Sequence, residues 1–292
     1  MWRRARFVSR WARLGLAVLL AGGCAATPSP FGQQVQRIDE VALAGEELFS
    51  RGDMKRASRN FSRALSMSRS ADYPPGTAQQ LNNLGAVALE EEDYPRAREY
   101  FTQAYNLNQE HQQWAAASVN QANLATAAVK QGQPAAASQH LLTAQEAAQQ
   151  SRSPQALGRV YLQWASFYLD QHDLGSAQDF LTRAQPLATT PELKGTLFHH
   201  RGRLALAQGD TGQALEMFTQ AHTIDRAVLD RAAMAADLFS LGETHQARGE
   251  LAQAWDFYVR AFDVYAGLGK KSPLCRCLQR LQEVNRQGHL GH

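Results

Sequence analysis

Residues 85–104, GAVALEEEDYPRAREYFTQA, decide the fold. In this stretch Gly85 is followed after twelve positions by Ala97, after four more by Phe101 and after three more by Ala104. The same order recurs as Gly45/Ala57/Phe61/Ala64, Ala125/Ala137/Leu141/Ala144, Ala165/Ala177/Leu181/Ala184, Gly202/Ala214/Phe218/Ala221 and Gly242/Ala254/Tyr258/Ala261. The first small residue advances by 40, 40, 40, 37 and 40 positions, a period that belongs to stacked helical units rather than to one globular core. Glycine inside a helix costs about 1 kcal/mol relative to alanine. Gly85 and Gly242 therefore predict a close approach of two helices, with the bulky residue filling the seam between them.

Each unit carries a turn signal at its centre: Gly52-Asp53, Glu92-Asp93, Gly132-Gln133-Pro134, His172-Asp173, Gly209-Asp210 and Gly249-Glu250. The first residue of each signal ends one helix and the acidic residue can cap the next. Between units, Ser153-Pro154, Thr190-Pro191 and Ser272-Pro273 set a hydroxyl before a proline, the order of a helix start. Tyr73-Pro74-Pro75-Gly76 reads as the clearest break, and TIDRAVLDRAAMAADLF, residues 223–239, as nearly continuous helix. No run of alternating apolar residues predicts a sheet.

This small-and-bulky arrangement resembles the tetratricopeptide repeat (TPR) over roughly residues 38–268. The resemblance implies an all-α, right-handed superhelical solenoid of about six helix-turn-helix repeats, at 38–71, 78–111, 118–151, 158–191, 195–228 and 235–268. Residues 269–292 are then a capping helix and tail, which a solenoid needs to cover its last apolar flank. The unit is about six residues longer than the usual TPR and resembles the kinesin light chain type. Most units also lack the family's closing proline.

The N-terminus has a different character. Arg3, Arg4, Arg6, Arg10 and Arg13 precede the apolar LGLAVLLAGG, the layout of a secretory signal that is too short to span a bilayer. LLAGGC resembles the lipobox of bacterial lipoproteins. That resemblance implies a signal peptide over 1–23, a lipid on Cys24 and a flexible tether over 24–37. Ala25 after the cysteine then implies forwarding to the outer membrane, facing the periplasm. The formal charge is +3, and loss of the five leader arginines would leave −2. The basic balance thus belongs to export and gives no ground for a nucleic-acid partner.

No phosphate-cradling glycine loop, HExxH, GxSxG or zinc-spaced cysteine cluster occurs. The repeats leave no room for a catalytic domain, so no enzyme, cofactor or metal is expected beyond the lipid on Cys24. His199 and His200 are adjacent and are expected to diverge, and Glu90 to Asp93 read as a solvated acidic run. Cys275 and Leu278 are expected to face the last repeat, with Cys277 at the boundary; an intermolecular disulfide is left open.

With the first small residue of each unit numbered eight, positions two, five, six and nine form a polar stripe on the first helix. In TPR proteins this stripe lines the concave face. Here it holds Gln79, Asn82 and Asn83, then Asn123 and Thr126, then Arg159, Gln163 and Ser166, then His199, His200 and Arg203. Amides match both polar groups of an extended peptide backbone, and arginines match carboxylates. Asn123 and Arg159 match the family's chaperone-tail clamp, whereas Asn82, Ala86 and Gln163 depart from it. The implied function is a membrane-anchored adaptor for envelope proteins or peptides, with self-association as the alternative. The partner and the oligomeric state stay open.

Overall fold

The computed structural model describes residues 29–288; the leader, Cys24 and the last four residues lie outside them. The described residues form thirteen α-helices and no strand. They pair as α1 (Pro30–Ser50) with α2 (Met54–Ser70), α3 (Pro74–Glu90) with α4 (Tyr94–Glu110), and α5 (Trp114–Lys130) with α6 (Pro134–Ser151). The array continues as α7 (Pro154–Asp170) with α8 (Leu174–Ala184), α9 (Pro191–Ala207) with α10 (Thr211–Ala227), and α11 (Arg231–Ala247) with α12 (Leu251–Gly267). Helix α13 (Lys271–Gly288) caps the end.

Most helices are 17 residues long and are followed by a three-residue turn, which gives the 20-residue half-unit. One residue in each of eleven turns has a positive φ, the middle one everywhere except at Arg152: Gly52, Asp72, Glu92, Gln112, Gly132, Arg152, His172, Gly209, Leu229, Gly249 and Gly269. The last turn residue often caps the next helix. Asp53, Asp93, Asp173, Asp210 and Asp230 each accept a backbone N–H three residues on, at 2.9–3.2 Å. Each such cap is worth about 1 kcal/mol.

The close approach expected of the glycines is present. A Cβ added at Gly45, Gly85, Gly202 or Gly242 would stand 2.6–2.7 Å from the ring of Phe61, Phe101, Phe218 or Tyr258. The two repeats that begin with alanine, Ala125 and Ala165, carry Leu141 and Leu181 instead, and both leucines are buried. Glycine thus goes with an aromatic ring and alanine with leucine, sixteen positions apart in every repeat. Burying the ring returns about 1.5–3 kcal/mol, more than glycine's helix penalty of about 1 kcal/mol.

Several boundaries differ from the sequence reading. Residues 30–37, expected as tether, are the first turns of α1, whose start is fixed by Ser29 accepting from Gly32 N at 3.1 Å and by Pro30. The 34-residue windows omit the opening turn of each first helix, because the unit here is 40 residues. Tyr73-Pro74 forms an ordinary turn. The real irregularity is at 185–190, where Pro186 ends α8 early and a 3-10 turn (Gln185–Leu187) packs on Gly158; this shortens one step to 37. Residues 223–239 are not continuous: Leu229 adopts φ 60 and Asp230 caps α11. Helix α13 begins at Lys271, so Ser272 lies inside it instead of capping it.

The cap also corrects the cysteines. Cys277 and Val284 are fully buried against Ala235, Leu238, Tyr258 and Tyr265, while Cys275 and Leu278 are exposed. Residues 277 and 284 lie two helical turns apart and define the buried stripe. Both thiols are free. Glu90 also departs from a purely solvated run: it accepts from Lys270 Nζ at 2.9 Å across 180 residues of sequence. Beside it Gly52 packs on the backbone of Leu268. One superhelical turn therefore brings the turn after α12 against the turn between α1 and α2.

Candidate functional site

Successive odd-numbered helices pack on one another from α1 to α11, whereas the even-numbered ones pack mainly on their sequence neighbours. Contact on one side and splay on the other makes the odd helices the concave face. Five cavities follow this face. One of about 540 Å³ lies between α1 and α3, lined by Asp39, Glu40, Glu46 and Gln79. The next, about 270 Å³, holds Gln79, Asn82, Asn108 and Asn120. A third, about 360 Å³, holds Asn123, Thr126, Arg159, Gln163 and His200, with a small one of about 80 Å³ beside it. The last, about 520 Å³, is walled by α7, α9, α11 and α13 and lined by His199, Arg203, Phe239, Ser240, Glu243 and Arg276.

The asparagines of the stripe bind one another. Asn82 Oδ1 accepts from Asn120 Nδ2 at 3.0 Å and from Asn123 Nδ2 at 2.9 Å, and Asn120 Oδ1 accepts from buried Asn108 Nδ2 at 2.7 Å. This network uses one half of Asn82 and of Asn123 and holds the other halves, a donor and an acceptor, at the groove. The complementary pair is what an extended backbone needs. Asn83, half-buried beside them, donates to Gln80 Oε1 at 3.4 Å. Thr126 Oγ1 donates to the Ala122 carbonyl at 3.1 Å. Arg159 and Gln163 keep their side chains at the cavity wall.

Arg203 is tied down: it donates to Asp170 Oδ1 at 2.6 Å and to Ser166 Oγ at 3.2 Å. Arg276 of α13 lies 4.6 Å above the Phe239 ring, so the cap supplies part of the pocket wall. His199 and His200 enter neighbouring cavities of the groove instead of one facing the outer surface. Their rings meet edge to face with centroids 5.7 Å apart, because His199 also packs on Phe218 and bonds Asp237 Oδ1 through Nδ1 at 2.7 Å. Burial, with Arg203 nearby, lowers the His199 pKa to about 4, and burial lowers His200 well below its ordinary value. Asp225 and Asp237 meet behind His199. Burial, then the facing Asp237 carboxylate, raises Asp225 to about 7; burial raises Asp237 to about 8.

A tetratricopeptide-repeat family model matches residues 42–110 and 193–267. These two stretches, which span the first two and the last two repeats, match the tetratricopeptide repeat, and the third and fourth repeats share their helix pairing. Solved structures share this helical-repeat fold. A Rap protein complexed with competence and sporulation factor superposes with a TM-score of 0.62 at 14% identity, covering 87% of this chain and 76% of that one. The Rap conjugation gene regulator of plasmid pLS20, in complex with the Phr* peptide, gives 0.62 at 13% identity, covering 95% and 83%. PilW, a type IV pilus biogenesis factor, gives 0.51 at 16% identity, covering 83% and 99%. At these identities the likeness speaks for the fold. No curated protein matches the chain in sequence.

The stripe reading missed Asn108, Asn120, Asp225 and Asp237 of the TPR array, because they are buried beneath the groove. A signal was present: Asn108/Asn120 and Asp225/Asp237 are both polar pairs twelve residues apart at a junction between repeats. Among the described residues no His, Cys, Asp and Glu group could hold a metal, and no helix is long and apolar enough to cross a membrane.

Proposed function

We propose that this TPR protein is a membrane-anchored adaptor that binds an extended segment of an envelope protein along its concave face. The observation carrying this reading is the pair of half-used amides, Asn82 and Asn123, held by their own network beside the Arg159 cavity. A fixed donor and acceptor lose little freedom on binding, and so they favour a peptide backbone over water. One similar structure is a complex with competence and sporulation factor, another a complex with a peptide, and a third is a pilus biogenesis factor, in keeping with this reading. Anchoring rests on the lipobox-like LLAGGC and on acylation of Cys24, which we assign to the outer membrane facing the periplasm.

Crosslinking in native membranes, with mass spectrometry of the captured proteins, tests the adaptor role. Combining Asn123→Ala with Arg159→Ala removes a backbone contact and a cation, so capture should fall about tenfold or more. Unchanged capture would move the binding surface off the groove. Cys24→Ser should release the protein from the membrane fraction, and retention there would end the lipid-anchor reading. Concentration-dependent sedimentation of residues 25–292, with no captured partner, would favour self-association instead.

A further inference from the structure

Three of the junctions between repeats fill one set of three positions with different chemistry. Between the second and third repeats the positions are Asn82, Asn108 and Asn120, joined by hydrogen bonds of 2.7 and 3.0 Å. Between the third and fourth they are Ala122, Ala148 and Val160, packed in one apolar cluster. Between the fifth and sixth they are His199, Asp225 and Asp237. The register is the same in these three: 38 residues separate Asn82 from Asn120, Ala122 from Val160 and His199 from Asp237, and twelve separate the second and third members of each set.

The amide version satisfies itself, since Asn108 carries its own donor for Asn120. Two ionised carboxylates have no donor between them. Asp237 is fully buried, Asp225 is 4% exposed, and Asp237 Oδ2 has no hydrogen-bond partner. On the far side a Cβ at Gly195 would overlap the Asp225 carboxylate, so α9 leaves that side chain no retreat. A proton taken from solvent onto either carboxyl gives the missing donor and removes the repulsion.

We propose that Asp225, Asp237 and His199 form a proton-binding switch that locks the junction of the fifth and sixth repeats, and the groove pocket beside it, when the carboxyl pair is protonated, and loosens both when it ionises. The surroundings set its direction. Helix α9 presents His199, His200 and Arg203; the turn before α11 presents Asp230; α11 adds Glu243, α12 adds Tyr265 and α13 adds Arg276. Asp230 opposes ionisation of both carboxyls. Arg203 is engaged by Asp170, and Arg276 by the Phe239 ring. The raised Asp225 and Asp237 values and the lowered His199 agree with a cluster that holds its proton on the carboxyls.

The test transplants the amide version. Hydrogen exchange, normalised to the intrinsic rate, is read over α10 and α11 at about pH 6 and about pH 8.5. In the full chain, protection should fall about tenfold or more at the higher pH. Asp225→Asn combined with Asp237→Asn should fold, because the chain already uses that pair at Asn108 and Asn120, and its protection should not change with pH. Equal pH dependence in the double variant, or none in the unaltered protein, overturns the switch. The infrared band of a protonated carboxyl gives a reading that needs no variant. It should be present in the unaltered protein at about pH 6 and lost at about pH 8.5; its absence at the lower pH also overturns the proposal.

Discussion

At the scale of single residues, the repeats record how a helix pair trades side-chain volume. Phe101 lies on Gly85 and Leu141 stands opposite Ala125, so the small residue follows the size of its partner. Gly85→Ala should cost about 1–3 kcal/mol by overpacking, although alanine is the better helix former. Adding Phe101→Leu should recover part of that loss, because the pair then matches the one at Ala125 and Leu141. Urea unfolding of the single and double variants measures both effects. The glycine, alanine and bulky positions were legible in the sequence because helix packing acts through size at a fixed spacing. Cys275 and Cys277 were not, since a helical stripe covers either one until Val284 settles which side is buried.

At the scale of helices and turns, one geometry is written with different residues. Gly52 and Gly132 announce a left-handed turn position; Leu229 occupies the same one with nothing to announce it. This explains why residues 223–239 read as one helix. A non-glycine residue there costs about 1–2 kcal/mol, and 79% of the Leu229 surface is in water, so little packing offsets the strain. Leu229→Gly should therefore stabilise the protein by about 0.5–1 kcal/mol despite glycine's greater freedom when unfolded, raising the melting temperature. The buried junction groups make stability depend on pH. Asp225 and Asp237 are raised, so their contribution is complete below the ordinary carboxylate range and is lost as pH rises through about 7 to 8. His199 is lowered to about 4, so its contribution is complete above its ordinary value of 6.5 and is lost as pH falls through about 4. Melting temperature should fall as pH rises from 6.5 to about 8, and should change less between about 4 and 6.5, where the two effects oppose.

At the scale of the whole molecule, a polar stripe could be traced in the sequence but its wiring could not. Spacing along one helix locates Asn82 and Asn123; it does not say that they share a hydrogen bond across 41 residues. Spacing likewise sets Arg203 at the groove without disclosing Asp170. The meeting of Lys270 with Glu90 depends on the accumulated rotation of every repeat between them, which no local pattern encodes. Both side chains are partly exposed, so the ion pair adds about 1 kcal/mol or less. Lys270→Glu should nevertheless put like charges together and open the contact. A larger radius of gyration in solution scattering, reversed by adding Glu90→Lys, is the expected result.

The contact at Gly52 and Leu268 also bears on how such a chain can change through descent. An open array accepts the duplication or loss of a repeat wherever it occurs, since each unit answers only to its neighbours. Here the ends of the array also meet each other. Excising residues 114–153 would keep every remaining helix and still leave the last turn with nothing to meet. Insertions should therefore be tolerated in the turns away from Gly52 and Leu268, while gain or loss of a whole repeat should break that contact.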